Sequence, residues 1–287
     1  MLMDHIGEFF PDSPIWFRWL GRLAAPLFFY ALAVGFQHTR NRKKYLLRLY
    51  LANVGMVFFN QIMCMLQRKL DYVAYQPKNH NIFTTLFCAG VLICIWENRK
   101  EKKKFFTYIG IYIFWQAMVM GLAILAEAFD YVWRGNALLQ TVLRTNYIFP
   151  LLGGIWDAEG GVFFIVLGVW LYCAVEKKGK LALHYILFCG AYMFMCQGDI
   201  LYRIMSRFSF WGYHKLADVI YFGSSFVGIP LGTSDLSLLT EFYQWMMIGA
   251  LPIMLSCNGK RGKSLKWLFY AAYPLQFLVL YGISYYK

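Results

Sequence analysis

Asp4 and His5 are an ionisable pair in a segment, residues 1–10, that is otherwise mostly apolar. Histidine can accept and return a proton near neutral pH, and a neighbouring carboxylate can orient its ring and stabilise the imidazolium. Acyl transfer to an amine or a hydroxyl requires this kind of proton removal. Two interpretations of His5 follow from the residues, a general base or a histidine at the wet edge of a membrane.

Arg22 and Asn81 are two further polar side chains in apolar surroundings. Arg22 lies about 24 Å from His38 if one helix joins them. It either forms an ion pair with Asp4 or Glu8, or binds an acyl donor or an anionic acceptor. Asn81 either caps a helix and bonds a neighbouring helix, or polarises a substrate carbonyl. Capping is the simpler interpretation.

Two short basic runs have the composition of a phosphate-binding surface. Their cationic side chains are suited to the phosphates of coenzyme A. The same runs could equally set the membrane topology or contact anionic lipid. Neither run is a P-loop, because the G-x-x-x-x-G-K-[ST] pattern is absent. The candidate residues are His38, Arg40, Arg42, Lys43 and Lys44 in the first run and Lys260 and Arg261 in the second.

The seven cysteines fall in apolar runs or at their ends, without the spacing of metal ligands. We therefore predict no metal site. None of them stands beside a histidine in sequence, which favours direct acyl transfer over a covalent acyl-enzyme.

The elements that must position these residues are membrane helices. Hydrophobic residues make up 60% of the 287 residues, only 15% are charged, and the mean hydropathy is +0.46. Soluble domains, disordered chains and disulfide frameworks have different proportions of hydrophobic and charged residues. The run from Phe105 to Phe129 has no Lys or Arg and is long enough to cross a hydrocarbon core of about 30 Å. The sequence therefore predicts an all-α, polytopic transmembrane helical bundle.

The net charge of +13 is unevenly distributed. Four clusters hold 17 of the 28 Lys and Arg residues, and the rest of the chain is close to neutral. Short basic loops between apolar runs face the cytoplasm, so this pattern predicts topology and argues against a nucleic-acid partner. The clusters are 40–48, 99–104, 177–180 and 260–266.

Placing the four clusters inside predicts about eight full spans plus an N-terminal stub of a ninth, in a single domain over 1–287. The protein would lie in the cytoplasmic (inner) membrane with its C-terminus outside. Residues 147–156 and 216–232 are apolar but interrupted, which favours interfacial or re-entrant helices. The predicted spans are 15–37, 45–66, 80–97, 105–127, 157–175, 181–198, 237–256 and 267–286.

Seven short motifs occur in order along almost the whole chain. They are Asp4-His5-Ile6-Gly7, Gly21-Arg22-Leu23-Ala24-Ala25-Pro26, His38-Thr39-Arg40-Asn41-Arg42-Lys43-Lys44-Tyr45, Asn81-Ile82-Phe83-Thr84, Asn258-Gly259-Lys260-Arg261-Gly262, Phe269-Tyr270 and Tyr273-Pro274-Leu275. Each motif is weak alone, but the ordered set resembles the TraX family, which is similar to a wider group of integral-membrane acyltransferases.

This resemblance implies an enzyme that moves an acetyl group from cytosolic acetyl-CoA to an acceptor across the membrane. The acceptor would be an extracytoplasmic amine or hydroxyl, such as a pilin N-terminus or a cell-surface sugar. By the same likeness His5 is the base and Asp4 its partner. Our own hypothesis adds that Arg22 or Asn81 stabilises the oxyanion. The family usually reads Tyr-Pro-x-His in the last span, where this chain has Gln276.

Two other classes of protein share these sequence features. A transporter or lipid flippase also has many spans and intramembrane charge, although we find no internal repeat in the sequence. A non-catalytic membrane factor for assembling conjugation or surface machinery is the second alternative.

Overall fold

The computed structural model describes residues 1–69, 81–132, 145–156, 158–197, 203, 207, 213–230, 233, 235–258 and 266–285. These residues form α-helices and 3₁₀ segments joined by turns, with no β-strand among them. The α-helices are α1 (Leu2–Phe9), α2 (Trp16–Gly21), α3 (Ala24–His38), α4 (Arg42–Lys69), α5 (Ile82–Glu97), α6 (Lys102–Val132), α7 (Thr145–Leu151), α8 (Gly161–Ala174), α9 (Lys178–Gln197), α10 (Tyr213–Val227), α11 (Ala250–Ser256) and α12 (Lys266–Tyr285). The predicted all-α class is confirmed.

The chain forms two compact units. The first, called unit 1, comprises Met1–Val34 and Trp170–Lys287, and the second, unit 2, comprises Gly35–Val169. We describe each unit by itself.

Five described helical segments are long and apolar enough to cross a membrane, and they coincide with five of the predicted spans. They are Trp16–His38, Arg42–Leu66, Ile82–Lys100, Lys102–Ala126 and Lys178–Gln197. Their outer surfaces are apolar as well: on α6, Phe114 is 71% exposed and Phe106 66%. Side chains of this kind avoid water, so the helical membrane-protein fold agrees with the composition.

The remaining predicted spans differ in the structure. Residues 267–286 give the shorter apolar helix Leu268–Ser284. The span predicted over 157–175 gives a helix only from Gly161, and the preceding Gly160 has a φ angle of +81°, which a right-handed helix does not accommodate. Residues 216–232 lie largely in α10.

The prediction of one continuous helical span over 237–256 is wrong. The structure has turns at 238–241, a 3₁₀ segment at Tyr243–Gly249 and then the short helix α11. Pro252 lacks an N–H, and it lies in the first turn of α11, where backbone N–H groups have no helical partner.

In unit 2, α4 and α5 pack side by side with opposite directions. Arg42 at the start of α4 forms an ion pair with Glu97 at the end of α5, with 2.9 Å between Nη2 and Oε1. The helix α6 begins five residues later, at Lys102. Two of the predicted basic clusters therefore meet at one end of unit 2, which we call its basic end.

The turn between α7 and α8 is held by side chains from α4 and α6. Asn53 donates to the carbonyl of Pro150 at 2.6 Å, and Gln116 donates to that of Gly153 at 3.1 Å. At 1.5 Å per residue, Asn53 lies about 16 Å along α4 from Arg42, and Gln116 about 21 Å along α6 from Lys102. Irregular backbone between apolar helices is tolerated where protein groups bond its carbonyls, as they do here.

Candidate active site

The charged residues predicted at the start of the chain come together in unit 1. The Asp4 carboxylate accepts hydrogen bonds from Nη2 of Arg22 at 2.5 and 2.6 Å, and Arg18 Nη1 lies 2.9 Å from its Oδ1. Arg18 Nη1 also donates to the Asp4 backbone carbonyl at 2.9 Å. All three side chains are about four-fifths buried. The predicted ion pair of Arg22 with Asp4 is present, and Arg18 shares the carboxylate. We call these three residues the ionic cluster.

Tyr243 and Gln244, at the start of the 3₁₀ segment, complete the surroundings of the two arginines. Arg18 Nε donates to the Tyr243 hydroxyl at 2.8 Å, and Arg22 Nη1 donates to Gln244 Oε1 at 3.1 Å. Both guanidinium groups lie over the Tyr243 ring, 5.6 and 5.4 Å from its centre. Such cation–π contacts stabilise partly desolvated cations. The Arg22 Nε–H is buried and has no acceptor in the described part of the chain.

His5 faces a different side of α1 from Asp4, because successive helical residues are rotated by about 100°. The ring is 4% exposed and lies against Phe277 of α12, with 4.4 Å between ring centres. Tyr273, one turn earlier, contacts it edge-on at 6.4 Å. The carboxylate recorded beside its Nδ1 is that of Glu8, at 3.7 Å. The structure therefore gives His5 an apolar pocket and places Glu8 next to its ring, whereas Asp4 holds the arginines.

Two glycines explain why α1 and α2 can approach so closely. A Cβ on Gly21 would lie 2.2 Å from the Asp4 Cβ, and one on Gly7 would lie 2.5 Å from the Arg18 Cδ. Only a residue without a side chain fits at either position. The motifs around Asp4 and around Arg22 are thus two halves of one helix–helix contact.

Several site residues were not predicted from the sequence. Arg18 carried a usable signal, since it precedes Arg22 by four residues and so shares its helix face. Tyr243, Gln244 and Phe277 carried none, because they belong to distant segments that only the folded chain brings together. Gln276, where the resemblance expects histidine, has a buried Nε2 without a partner among the described residues.

Asn81 belongs to unit 2, where it contacts Asn53. It occupies the N-cap position of α5 and bonds the neighbouring helix α4, as the first interpretation predicts, although its side chain makes no cap bond. Its Nδ2 donates to the backbone carbonyl and to the Oδ1 of Asn53, at 3.2 and 2.8 Å. The Asn53 Oδ1 must be the acceptor, since its own Nδ2 is bonded to the Pro150 carbonyl. The amide group of Asn81 therefore donates to Asn53 in this structure.

The buried Asn53 side chain connects α4, α5 and the end of α7, since Thr84 also donates to its Oδ1 at 2.7 Å. We expect Asn53→Ala to lower the free energy of unfolding by about 1–2 kcal/mol, because bonded polar groups inside the membrane lose their partner. Thermal unfolding in a fixed detergent measures the loss. Phe58→Ala, on a 59% exposed side chain of the same helix, is the control and should change stability less.

The basic residues predicted to bind coenzyme A differ in their availability. Arg42 is engaged: it bonds Glu97 and the Thr39 carbonyl, and its guanidinium lies over the Phe36 ring. Four neighbours at the basic end are exposed, namely His38, Arg40, Lys43 and Lys44. The other two predicted residues, Lys260 and Arg261, lie outside the described residues. Within the described ranges no three His, Cys, Asp or Glu side chains are grouped to hold a metal ion.

Comparison with known proteins gives one match. A family model described as TraX protein matches residues 1–193. No curated protein and no solved structure matches the chain. The matched region includes Asp4, His5, Arg18 and Arg22, while Tyr243, Gln244 and Phe277 lie beyond it.

Proposed function

We propose, from the premise that this chain belongs to the TraX family, that it is an integral-membrane acetyltransferase. It would move an acetyl group from acetyl-CoA to an amine or hydroxyl acceptor, such as a pilin N-terminus or a cell-surface sugar. The observation that carries the proposal is the buried His5, which has the Glu8 carboxylate beside its ring and Asp4 of the ionic cluster on the same short helix. Ionisable groups are costly in such surroundings, and clusters of them mark functional sites.

His5 acts as the general base in the proposed reaction. It accepts the proton of the acceptor N–H or O–H while the acceptor forms a bond to the thioester carbonyl carbon. Glu8 stabilises the imidazolium. When the tetrahedral intermediate collapses, the carbon–sulfur bond breaks and the proton passes from His5 to the leaving thiolate. The unused Nε–H of Arg22 is the donor for the developing oxyanion, in the role considered for Arg22 or Asn81.

Acetyl-CoA would bind by its phosphates at the basic end of unit 2. The four exposed residues His38, Arg40, Lys43 and Lys44 offer positive charge there, and cationic side chains bind phosphate by charge-assisted hydrogen bonds. We further propose about eight crossings of the cytoplasmic membrane, with the basic loops inside and the C-terminus outside. The donor would then enter from the cytosol and the acceptor from the opposite face.

Lys43→Ala combined with Lys44→Ala is expected to raise the KM for acetyl-CoA about tenfold with little change in kcat. Loss of two charge-assisted contacts to phosphate costs about 1.4 kcal/mol or more. Steady-state kinetics with varied acetyl-CoA measures the effect. Lys177→Ala combined with Lys178→Ala removes the same charge from another basic cluster and should leave the KM unchanged. An equal rise in both double variants would indicate a general surface-charge effect.

The proposed activity is tested with purified protein in sealed vesicles. Acetyl-CoA labelled in the acetyl group is added on the side of the basic end, and a peptide amine, a sugar or an amine lipid is supplied as acceptor. Covalent label on an acceptor supports the enzyme. Label that crosses the membrane without a covalent product would identify a transporter. If the label neither joins an acceptor nor crosses the membrane, the assembly factor is the remaining candidate.

The transporter is kept as a second candidate because of one feature in unit 2. The turn between α7 and α8 interrupts a helical path between apolar helices, and discontinuous membrane helices often form transport sites. The vesicle experiment separates the two functions directly.

A further inference from the structure

We infer that Arg18 positions His5 through Glu8, so that His5 accepts the proton on its Nε2 atom. The inference rests on the proposed acetyltransferase function, in which His5 is the general base. It gives the two arginines of the ionic cluster different roles: Arg22 donates to the oxyanion, whereas Arg18 holds the carboxylate that orients the base. Arg18 is therefore a positioning residue, since it acts through another side chain.

The guanidinium group of Arg18 lies along one turn of α1. Its Nη1 is 2.9 Å from Asp4 Oδ1 and also donates to the Asp4 backbone carbonyl at 2.9 Å. In an α-helix that carbonyl is directed toward the N–H of the residue four positions later, which here is Glu8. Arg18 thus reaches the turn that joins two carboxylates on one face of α1, and its charge interacts with that of Glu8 as well.

Contacts with two other segments fix Arg18 in this place. Its Nε donates to the Tyr243 hydroxyl at 2.8 Å, and its guanidinium group lies over the Tyr243 ring. The stem of the side chain packs on Gly7, where a Cβ would come within 2.5 Å of the Arg18 Cδ. Because the arginine is about four-fifths buried, solvent screens its charge only weakly. It can therefore hold two carboxylates that would otherwise repel each other across one helical turn.

Glu8 connects this arginine with the histidine. Its Oε2 lies 3.7 Å from the His5 Nδ1, and both side chains are largely buried. The separation is that of an ion pair and is too long for a hydrogen bond. The negative charge nevertheless favours a hydrogen on the nearer ring nitrogen, which is Nδ1. Tyr273 and Phe277 of α12 pack against the same ring and restrict its rotation.

The position of this hydrogen decides which nitrogen of His5 can act as a base. A neutral imidazole has one N–H and one nitrogen that accepts. With the hydrogen on Nδ1, Nε2 takes the proton of the acceptor amine or hydroxyl while the acceptor forms its bond to the acetyl carbon. When the carbon–sulfur bond breaks, Nε2 gives that proton to the leaving thiolate, and the ring returns to its starting tautomer.

Four variants separate this role from general support of the ionic cluster. Arg18→Gln removes the charge that holds Glu8, and Glu8→Ala removes the link itself. Arg22→Gln is the matched control, because it takes an equal charge from the Asp4 carboxylate while Arg18 keeps its bond to the Asp4 carbonyl. If Arg18→Gln does not fold, Gly7→Ala displaces the arginine by contact with its Cδ and leaves every charge in the chain.

The experiment is ¹⁵N NMR of the histidine rings in purified protein labelled with [¹⁵N]histidine, in detergent micelles. The chain has five histidines, and the signal that disappears in His5→Gln is that of His5. At about pH 9, where an ordinary histidine ring is neutral, the wild type should carry its hydrogen on Nδ1. Arg18→Gln and Glu8→Ala should show both tautomers, whereas Arg22→Gln should resemble the wild type.

Three results would overturn the inference. They are a hydrogen on Nε2 in the wild type, unchanged His5 signals in Arg18→Gln (or in Gly7→Ala, where that variant replaces it), and an equal change in Arg22→Gln. The last result would assign the effect to packing of the whole ionic cluster. A merely structural role of Arg18 would lower thermal stability without changing the tautomer.

Kinetics then connect the tautomer with the proposed reaction. A catalytic histidine in the wrong tautomer loses up to about 10⁴-fold in kcat, so Arg18→Gln, which mixes the two forms, should lower kcat about tenfold. The KM for acetyl-CoA should not change, because the proposed phosphate contacts belong to unit 2. A protein that shows the expected tautomers but acetylates no acceptor refutes the proposed function and leaves the positioning of His5 by Arg18 and Glu8 intact.

Discussion

In an acetyl-transfer assay, His5→Ala is expected to lower kcat by about 10²- to 10⁴-fold, the usual contribution of a positioned general base. The change removes the imidazole that lies beside Glu8 and against Phe277. Acetyl-CoA binding should be retained, because the proposed phosphate contacts belong to unit 2. Label transfer and equilibrium binding of acetyl-CoA are measured on the same preparation.

Two further variants make the His5 result specific. His5→Gln keeps a polar side chain of similar size but cannot relay a proton at neutral pH, so it should be as inactive as alanine. His184→Ala removes a half-buried histidine that is bonded to the Lys180 carbonyl, and this variant should retain activity. Full activity of His5→Gln would assign the residue a packing role instead of proton transfer.

Asp4→Ala is expected to lower the free energy of unfolding by about 3 kcal/mol. It removes the carboxylate shared by Arg18 and Arg22, and both guanidinium groups would remain about four-fifths buried without their counter-charge. Thermal or denaturant unfolding in detergent measures the loss. Activity should fall as well, because Arg22 would lose the contact that fixes its position.

The chain offers a matched control in an exposed ion pair. Glu101 and Lys104 lie 2.7 Å apart with more than half of each side chain exposed. Glu101→Ala should therefore cost no more than about 1 kcal/mol. Equal losses for Asp4→Ala and Glu101→Ala would show that burial adds nothing to the ionic cluster. If Asp4→Ala does not fold, Asp4→Asn also removes the negative charge but keeps a side chain of the same size and shape that can still form hydrogen bonds.

Charge and hydropathy predicted a large part of this fold. Five spans could be predicted from the lengths of the apolar runs. The distribution of charge predicted that the first two basic clusters lie at one end of unit 2. The pair of Arg22 with Asp4 was predictable for a similar reason, since a charge in apolar surroundings needs a partner. The short helix α7 and the turn after it agree with the interruption predicted within residues 147–156.

Other parts of the site depend on packing that local sequence does not encode. The orientation of α1 decides that His5 faces α12, so its aromatic neighbours could not be deduced from the Asp-His pair. The partner of Asn81 could not be predicted for a different reason. Asn53 is one polar residue within a long apolar helix, and it contacts Asn81 only because α4 packs against α5. The break of the span over 237–256 likewise follows from the tertiary contacts of Tyr243 and Gln244.

The separation of Arg18 from Tyr243, 225 positions along the chain, has a consequence for biosynthesis. During synthesis α1 and α2 are made well before the tyrosine that lies against Arg18 and Arg22. Until residue 243 has been made, the two arginines lack this ring, and contacts of such long range form slowly. The ionic cluster therefore acquires its full set of contacts only after residue 243 has been synthesised.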